Sequence, residues 1–275
     1  MPTNPVRALR RLSQNFLVDG RALARILAAV DPQANDLVLE IGPGAGVLTA
    51  PLGDRVRRLV AIELDPRLAA PLSERFAGHA AVRIVPGDAL ELDWREPFAD
   101  LGGIEPGLRV VANLPYAISS PTILRLLEED PAREAHLMLQ REFAQRLSAT
   151  AGTKEYGSLT VLVAARARVT RLFDVPPSAF RPRPTVASSF VRLVLPRPRA
   201  LDDVVWRALK AVSRAAFDGR RKRLSNSLAR GLALAPDRVQ ALLASAGVDA
   251  GLRADAVAPE AYLRLAVALA ASSLA

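Results

Sequence analysis

The sequence contains no cysteine and only two histidines, His79 and His136. The lack of cysteine excludes disulfides, thiolate nucleophiles and iron–sulfur clusters, and with so few histidines a Cys/His zinc site is excluded as well. We therefore expect no metal site. The first residues lack the uninterrupted apolar core of a signal peptide. The longest apolar run, AVALAASSLA at the C-terminus, is shorter than the roughly 20 residues of a membrane span. We expect a cytoplasmic protein whose last run forms a helix packed on the core.

Acidic residues are in deficit, and the excess of basic residues lies at the two ends of the chain. The net charge is +9 over 275 residues. Residues 1–35 carry five arginines against two acidic residues, and residues 199–275 carry twelve basic against seven acidic residues. The long middle is nearly neutral. Basic flanks are typical of proteins with a phosphate-rich partner, although solubility of an arginine-rich chain is the alternative.

Short apolar runs that alternate with helical patterns predict an α/β fold. Five such runs occur in the first half of the chain: Leu37–Ile41, Leu59–Glu63, Val82–Val85, Arg109–Ala112 and Ala135–Leu139. Strands that alternate with helical segments form βαβ units, so we predict a mostly parallel sheet.

Two longer runs, Leu159–Val169 and Val186–Leu195, are predicted as consecutive strands that form an antiparallel hairpin at the sheet edge. Beyond Pro196 and Pro198 the apolar spacing becomes helical, starting with Leu201–Phe217. The sequence thus predicts two domains. Residues 1–197 form the α/β domain with a basic N-terminal segment, and residues 198–275 form a small all-helical domain.

The segment EIGPGAGVLT places a glycine loop directly after the first predicted strand. Gly42, Gly44 and Gly46 allow a tight turn and let a ligand lie against the backbone. The dinucleotide pattern G-x-G-x-x-G requires glycine at position 47, where this chain has Val47. The loop therefore fits a nucleotide cofactor of another kind, with a plain tight turn as the alternative.

Acidic residues end the next two predicted strands. Glu63 follows the loop by about 20 residues, where a carboxylate accepts hydrogen bonds from ribose hydroxyls. Asp88, after Gly87, is placed to meet the exocyclic amine of an adenine. The carboxyl ends of parallel strands share one edge of a sheet, so these groups converge there. A cofactor with a nucleoside and no need of a phosphate cradle fits, and S-adenosylmethionine (SAM) is such a cofactor.

The fourth predicted strand runs into Asn113-Leu114-Pro115-Tyr116, a poor strand and a poor helix start. The Asn113 side-chain oxygen and the Leu114 carbonyl could each accept a hydrogen bond from an adenine N6. This would favour a nitrogen whose lone pair is available for methylation. Pro115 fixes the backbone, and Tyr116 offers a ring on which a base stacks. A strand-end turn is the alternative.

In these motifs the chain resembles the KsgA/Dim1 family of rRNA adenine N6-dimethyltransferases, nearly from end to end. The resemblance includes Ser13–Leu17, Glu40–Gly44, Ile62–Asp65, Gly87–Ala89, Asn113–Tyr116, Met138–Glu142, Tyr156–Leu159, Val175–Phe180, Phe217, Arg220–Lys222 and Leu224. It implies a Rossmann-like class I SAM-dependent methyltransferase sheet with an antiparallel edge hairpin. One departure is Ser13, where the family usually has glycine. If that position needs a positive φ, the N-terminal segment closes over the cofactor differently.

The resemblance also assigns roles to individual residues. The cofactor is expected to contact Asn15, Leu17, Gly42, Gly44, Glu63, Asp88, Ala89 and Asn113. The target base, flipped out of its stack, is expected between Tyr116 and Phe180, although Phe180 could instead plug the core. The family's reaction places two methyls on N6 of each of two adjacent adenosines in the 3′-terminal hairpin of small-subunit rRNA, late in ribosome assembly.

Two basic clusters are candidates for contacts with the rRNA of a precursor 30S particle. Arg220, Arg221, Lys222 and Arg223 follow the helix break Asp218-Gly219 and are predicted to begin a helix, where exposed N–H groups favour phosphate. A solvated charged surface is the alternative. Arg7, Arg10 and Arg11 form the second cluster. A monomer is expected, because recognition of RNA here requires no twofold axis.

Three other functions remain compatible with the sequence. A resistance-type enzyme would methylate N6 of an adenine in 23S rRNA with the same fold and chemistry. A nucleic-acid-binding factor would keep the fold without catalysis. A small-molecule methyltransferase would have no need of the basic ends.

Overall fold

The computed structural model describes residues 14–104, 107–129, 132–196 and 201–272. They divide into two compact units. The first contains the described residues up to Ala144 together with Thr170–Leu195, and the second contains Gln145–Val169 together with those from Pro196 onward. Within these ranges no helix is both long and apolar enough to cross a membrane. Ser13, Arg7, Arg10 and Arg11 lie outside the described residues.

A seven-stranded sheet forms the centre of the first unit, with strand order β4-β3-β2-β5-β6-β9-β7. Its strands are β2 (Leu37–Ile41), β3 (Arg58–Glu63), β4 (Val82–Pro86), β5 (Leu108–Asn113), β6 (Ala132–Gln140), β7 (Arg168–Val175) and β9 (Ser188–Val194). The strands from β4 to β6 are parallel, whereas β9 pairs antiparallel with β6. The predicted α/β fold, mostly parallel with an antiparallel edge, is confirmed.

Two short strands form a separate two-stranded ribbon. It pairs β1 (Phe16–Leu17) with β8 (Phe180–Arg181) in antiparallel orientation, Leu17 opposite Phe180. The Val18 N–H extends the pairing by donating to the Ala179 carbonyl (2.9 Å). The ribbon brings the two ends of the first unit's sequence together, which no local pattern in either segment predicts.

Helices of the first unit follow the strands as the alternation predicts. They are α1 (Gly20–Val30), α2 (Thr49–Gly53), α3 (Pro66–Phe76), α4 (Ser119–Glu129) and the start of α5 (Arg141–Leu147). Asp19 caps α1 by accepting from the N–H groups of Arg21 and Ala22, and Asp65 caps α3. The apolar stripes of α1 and α3 share one hydrophobic core with the sheet, and this core fixes the strand ends that carry the site.

The second unit is helical and contains α6 (Ser158–Arg166), α7 (Asp203–Asp218), α8 (Leu224–Leu232), α9 (Pro236–Ser245) and α10 (Pro259–Ser272). Phe217 lies between Tyr156 and Tyr262, with its ring centroid 5.8 Å from each. Both tyrosine hydroxyls donate to main-chain carbonyls of the unit (2.8 Å each). The expected C-terminal helix is therefore confirmed as α10, whose Tyr262 is buried.

The predicted strand Leu159–Val169 is wrong. Most of it forms α6, and the neighbour of β9 in the sheet is β7, which begins at Arg168. Short apolar runs do not distinguish a buried strand from a buried helix, and α6 is buried on most sides, including Thr160–Val163 and Arg166. The division into domains 1–197 and 198–275 stays a prediction. Residues 145–169 belong to the second unit by their packing.

Candidate active site

One pocket of the first unit lies at the carboxyl ends of β2, β3, β4 and β5, against the β1 segment and Phe180. Parallel strands place their carboxyl ends at the same edge, so the residues after each strand face a common space. The predicted site residues on its wall are Asn15, Leu17, Gly42, Gly44, Glu63, Asp88, Ala89, Asn113, Leu114, Pro115, Tyr116 and Phe180. The structure therefore brings together every predicted cofactor and catalytic residue.

The glycine loop adopts backbone conformations that explain its composition. Gly42 and Gly44 have φ of +70° and +60°, which L-residues with a side chain rarely adopt. A Cβ added to Gly44 would lie 3.0 Å from Cδ1 of Phe16, whereas one added to Gly42 would meet nothing within 4 Å. The loop thus presents main chain to the pocket at Gly42, and Phe16 closes over it at Gly44.

Glu63 is the acid at the end of β3, and it is buried. Its carboxylate accepts hydrogen bonds from the N–H groups of Gly44 (3.0 Å) and Asp65 (2.9 Å). Burial raises the pKa of Glu63, and these two hydrogen bonds oppose the rise. The hydrogen bonds fix the carboxylate while its remaining lone pairs stay available to hydroxyl donors.

Glu40, on β2, also lines the pocket and is only 2% exposed. Burial raises its pKa to about 7, the nearby Thr49 hydroxyl opposes the rise, and the Glu63 charge adds to it. Its Oε2 has no hydrogen-bond partner within the described part of the chain. A buried carboxylate oxygen without a partner is costly unless a ligand compensates it, so this part of the pocket wall favours a cationic ligand.

Asp88 and Ala89 form the turn after β4. Asp88 Oδ1 accepts the Leu90 N–H (2.8 Å), while its Oδ2 has no partner among the residues described. Ala89 is buried, and its carbonyl accepts from the Trp94 indole (2.7 Å) and from Arg125 (2.6 Å). Oδ1 of Asp88 therefore stabilises the turn, and Oδ2 can accept a hydrogen bond from an amine.

Asn113 ends β5 and enters the pocket. Its Nδ2 donates to the Asn15 carbonyl (2.9 Å), so Oδ1 is the acceptor of this side chain. Leu114 is buried and donates its N–H to the Met138 carbonyl (3.3 Å). Pro115 has φ of −54° and ψ of 135° and leads into a 3-10 turn at Tyr116–Ile118, which continues as α4. Tyr116 is half-buried on the pocket wall.

Phe180 both lines the pocket and belongs to the hydrophobic core, with 1% exposure. Leu17, which pairs with Phe180 in the ribbon, also lines the pocket and belongs to the hydrophobic core. Packing in the core is thus observed for Phe180, and its contact with a target base stays a prediction.

Several pocket residues were not singled out from the sequence as site residues: Gln14, Phe16, Glu40, Leu64, Ala117, Ile118 and Ser188. Glu40 lies one residue before the end of β2 and two before Gly42, and its position near the strand end could have identified it. Ser188 reaches the pocket because β9 starts opposite Gln140, the end of β6, and no local signal reveals this. Neither histidine lines the pocket. Within the described ranges, no acidic or histidine cluster could hold a metal.

The basic run of the second unit lies in the turn between α7 and α8. The predicted helix start is wrong, because α8 begins at Leu224 and Arg223 is its N-cap residue. Arg220 lies 3.4 Å from an Asp255 carboxylate oxygen and donates to the Thr153 carbonyl (3.1 Å), so it has a structural role. Arg221 and Lys222 are exposed. A contact of these residues with RNA stays a prediction.

The pocket fits an adenosyl cofactor. The backbone is accessible at Gly42, and among the described residues neither Oδ2 of Asp88 nor Oε2 of Glu40 has a hydrogen-bond partner. The sheet and its carboxyl-edge pocket define the class of protein as a Rossmann-like methyltransferase of class I.

A family model described as "Ribosomal RNA adenine dimethylase" matches residues 7–271. The chain belongs to this family. Two relatives named "Ribosomal RNA small subunit methyltransferase A" cover almost all of it. The protein from Burkholderia sp is 43% identical over 94% of this chain and 91% of its own. The protein from Geobacter sulfurreducens is 42% identical over 97% of both.

Two solved structures are similar over most of the chain. A dimethyladenosine transferase from Plasmodium falciparum has a TM-score of 0.76 and 25% identity, covering 91% of this chain and 95% of its own. The 23S rRNA methyltransferase ErmE has a TM-score of 0.67 and 31% identity, covering 93% and 99%. A dimethyladenosine transferase and a 23S rRNA methyltransferase thus share this fold.

Proposed function

We propose that the protein is a SAM-dependent methyltransferase that dimethylates N6 of two adjacent adenosines in the 3′-terminal hairpin of 16S rRNA during assembly of the small subunit. The observation that carries the proposal is the Asn113 side chain. Its Nδ2 donates a hydrogen bond to the Asn15 carbonyl, and this orients the amide so that Oδ1 is left as the acceptor at the end of β5. The small-subunit names of relatives that are 42–43% identical over nearly the full length support the choice of substrate.

Residues of the first unit would hold the cofactor through its distinct parts. Glu63 would accept from the ribose hydroxyls, because its hydrogen bonds to Gly44 and Asp65 fix the carboxylate. The unpartnered Asp88 oxygen would accept from the adenine amine. Glu40 would attract the cationic part of the cofactor. When bound, SAM supplies an electrophilic methyl group.

The nitrogen that receives the methyl is a poor nucleophile, because its lone pair is delocalised into the adenine ring. Asn113 Oδ1 and the Leu114 carbonyl would each accept one N6–H. Both acceptors favour a pyramidal nitrogen with an available lone pair, and they stabilise the positive charge that develops on it. The methylated N6 then loses its proton readily to water, so no general base is needed. This agrees with a pocket that neither His79 nor His136 lines.

The target base would stack on Tyr116, and Phe180 would support it from the core. The second unit would contribute binding of rRNA phosphates through Arg221 and Lys222, and the N-terminal arginines would add further contacts. We propose a cytoplasmic monomer that acts on the precursor 30S particle. Size-exclusion chromatography with light scattering would test the monomer.

The direct test is methyl transfer from labelled SAM to unmethylated small-subunit particles, with large-subunit rRNA alongside and digestion to nucleosides to count the methyls. We expect N6,N6-dimethyladenosine from the small subunit only, and its loss in Asn113→Ala. Label in large-subunit rRNA would assign the protein to the resistance-type enzymes. Cofactor binding without any transfer would leave a non-catalytic nucleic-acid-binding factor.

A further inference from the structure

We propose that Trp94 and Arg125 are positioning residues that set the Asp88 carboxylate for recognition of the adenine amine. This inference rests on the proposed function, because it assigns a role to residues behind the cofactor pocket. Neither Trp94 nor Arg125 lines that pocket. They act through the Ala89–Leu90 peptide group.

Both residues converge on one main-chain oxygen. The Trp94 Nε1–H donates to the Ala89 carbonyl (2.7 Å), and the Arg125 Nη1 donates to the same oxygen (2.6 Å). A carbonyl oxygen has two lone pairs, so these two donors satisfy it fully. Trp94 is completely buried, and a hydrogen bond from a charged donor is among the stronger ones.

The two donors are themselves fixed. The Arg125 guanidinium lies over the Trp94 ring, 4.7 Å from its centroid. Arg125 also forms an ion pair with Glu129 one turn later on α4, with 2.9 Å between Nε and Oε2. α4 follows the Asn113–Tyr116 segment through the 3-10 turn Tyr116–Ile118, so a helix close to that segment supports the turn after β4.

The other side of the same peptide group holds Asp88. The Leu90 N–H, which belongs to the peptide bond with Ala89, donates to Asp88 Oδ1 (2.8 Å). The peptide is planar, so fixing its carbonyl oxygen also fixes the direction of its N–H. The direction of that N–H decides where Oδ1 lies, and the geometry of the carboxylate then places Oδ2. Trp94 and Arg125 thereby orient the oxygen that remains for the ligand.

The test measures the affinity of two nucleoside ligands by titration calorimetry. S-adenosylhomocysteine carries the exocyclic amine, and S-inosylhomocysteine has an oxygen in its place. We expect the wild type to prefer the adenosyl ligand. Arg125→Met and Trp94→Phe keep most of the packing volume and remove a donor to Ala89. Each should reduce the preference by about tenfold, the effect of one well-placed hydrogen bond.

Two further variants separate positioning from general stability. Arg95→Met is the matched control, because Arg95 donates to the Glu129 carbonyl (2.6 Å) and does not contact Ala89. It should leave the preference unchanged. In an Asp88→Ala background the preference should be lost already, and adding Arg125→Met should then change nothing more.

The outcomes distinguish the inference from the function on which it rests. If Arg125→Met weakens both ligands equally and keeps the wild-type preference, Arg125 has only a structural role and the inference is wrong. A wild type without preference for either ligand would also overturn it, because Asp88 would then not recognise the amine. A wild type that binds neither ligand would refute the proposed cofactor itself.

Discussion

The side chain of Asn113 is anchored by the main chain of Asn15, through a hydrogen bond of 2.9 Å from Nδ2 to the carbonyl oxygen. These residues are 98 positions apart in the sequence. Asn15 precedes β1, so the ribbon that joins β1 to β8 also determines which atom of the Asn113 amide faces the pocket.

Two substitutions of Asn113 separate its acceptor from its anchoring. Asn113→Ala removes the acceptor and should lower the rate of methyl transfer by about 10²–10³-fold, as removal of one transition-state hydrogen-bonding group does. Asn113→Asp keeps an acceptor but loses the donor to Asn15, and it should lose about tenfold. Single-turnover rates at saturating SAM would measure both. Equal rates in the two variants would show that the hydrogen bond to Asn15, and not the acceptor oxygen, accounts for most of the contribution of Asn113 to the rate.

Gly44→Ala should impair the pocket specifically. The added Cβ would lie 3.0 Å from the Phe16 ring and would adopt a φ of +60°, a conformation that costs about 1–2 kcal/mol for a residue with a side chain. We expect a comparable loss in the free energy of unfolding and at least about tenfold weaker cofactor binding, because Phe16 must move. Gly102→Ala is the control, since Gly102 has a φ of +80° and nothing within 4 Å of the added Cβ. It should lose stability without losing affinity.

The raised pKa of Glu40 predicts opposite effects of pH on stability and on cofactor binding. Glu40 is protonated below its pKa of about 7 in the folded protein and below 4.5 when unfolded. The empty protein should therefore lose stability as the pH rises between these values, by about 3 kcal/mol at most. Affinity for cationic SAM should instead increase through pH 7, because the carboxylate becomes charged.

Glu40→Gln provides the comparison. It should unfold at higher denaturant concentration than the wild type at pH 8 and at a similar concentration at pH 5. Its affinity for SAM should be lower at pH 8 and nearly independent of pH. Denaturant unfolding and calorimetry at pH 5, 7 and 8 would measure these effects. A wild type whose stability does not change between pH 5 and 8 would contradict the assignment.

Much of the fold was predictable because it depends on local patterns. The apolar runs that became β2 to β6 identify themselves by length and by the helical stretches between them, and the residues after each strand then share an edge. The ribbon β1–β8 was not predictable, because each of its strands has two residues and its pairing joins distant segments. The predicted strand Leu159–Val169 is wrong because most of this run forms α6, which is buried on most sides and so lacks the one-sided apolar pattern of a surface helix.

Some residues of the site can likewise be identified from the sequence, and others only from the folded structure. Residues at strand ends, such as Glu63 and Asn113, could be identified from the sequence. Residues that act through a peptide group, such as Trp94, could not, because their role depends on a hydrogen bond to Ala89 that only the folded chain forms. Glu40 lies between these cases, because its position is visible in the sequence, but the sequence does not show that its Oε2 has no hydrogen-bond partner among the described residues.

The exposed residues between α7 and α8 should bind RNA phosphates. Replacing Arg221 and Lys222 with alanine should weaken binding to small-subunit rRNA and reduce the slope of log affinity against log salt by about 0.7–0.9 for each lost contact. Filter-binding titrations at several salt concentrations would measure the slope. Arg230→Ala is the matched control, because Arg230 is exposed but paired with Asp218. An unchanged slope in the double variant would show that these residues form a solvated surface.

Buried ion pairs in the first unit predict where the fold is most sensitive to loss of charge. Arg109 is 5% exposed and forms ion pairs with Asp36 and with Glu134 (2.6 Å). Arg109→Met should cost about 3–5 kcal/mol of unfolding free energy at pH 7, because both carboxylates stay buried with less compensation. Arg192→Met is the control. Arg192 also contacts Glu134, but it is 47% exposed, so its loss should cost about 1 kcal/mol or less.

The effect of Arg109→Met should itself depend on pH. Burial would raise the pKa of Glu134, but the charges of Arg109 and Arg192 outweigh it and lower the pKa overall. A lowered pKa means that Glu134 contributes stability above its unfolded pKa, and that this contribution is lost as the pH falls through the folded value. Without Arg109, less positive charge counteracts the effect of burial on the pKa of Glu134, so the carboxylate protonates more easily.

The difference in unfolding free energy between wild type and Arg109→Met should therefore be largest near pH 7 and should become smaller towards pH 4. Urea unfolding at both pH values would measure it, and a gap that stays constant would show that the lost stability comes from packing of the Arg109 side chain and not from its charge.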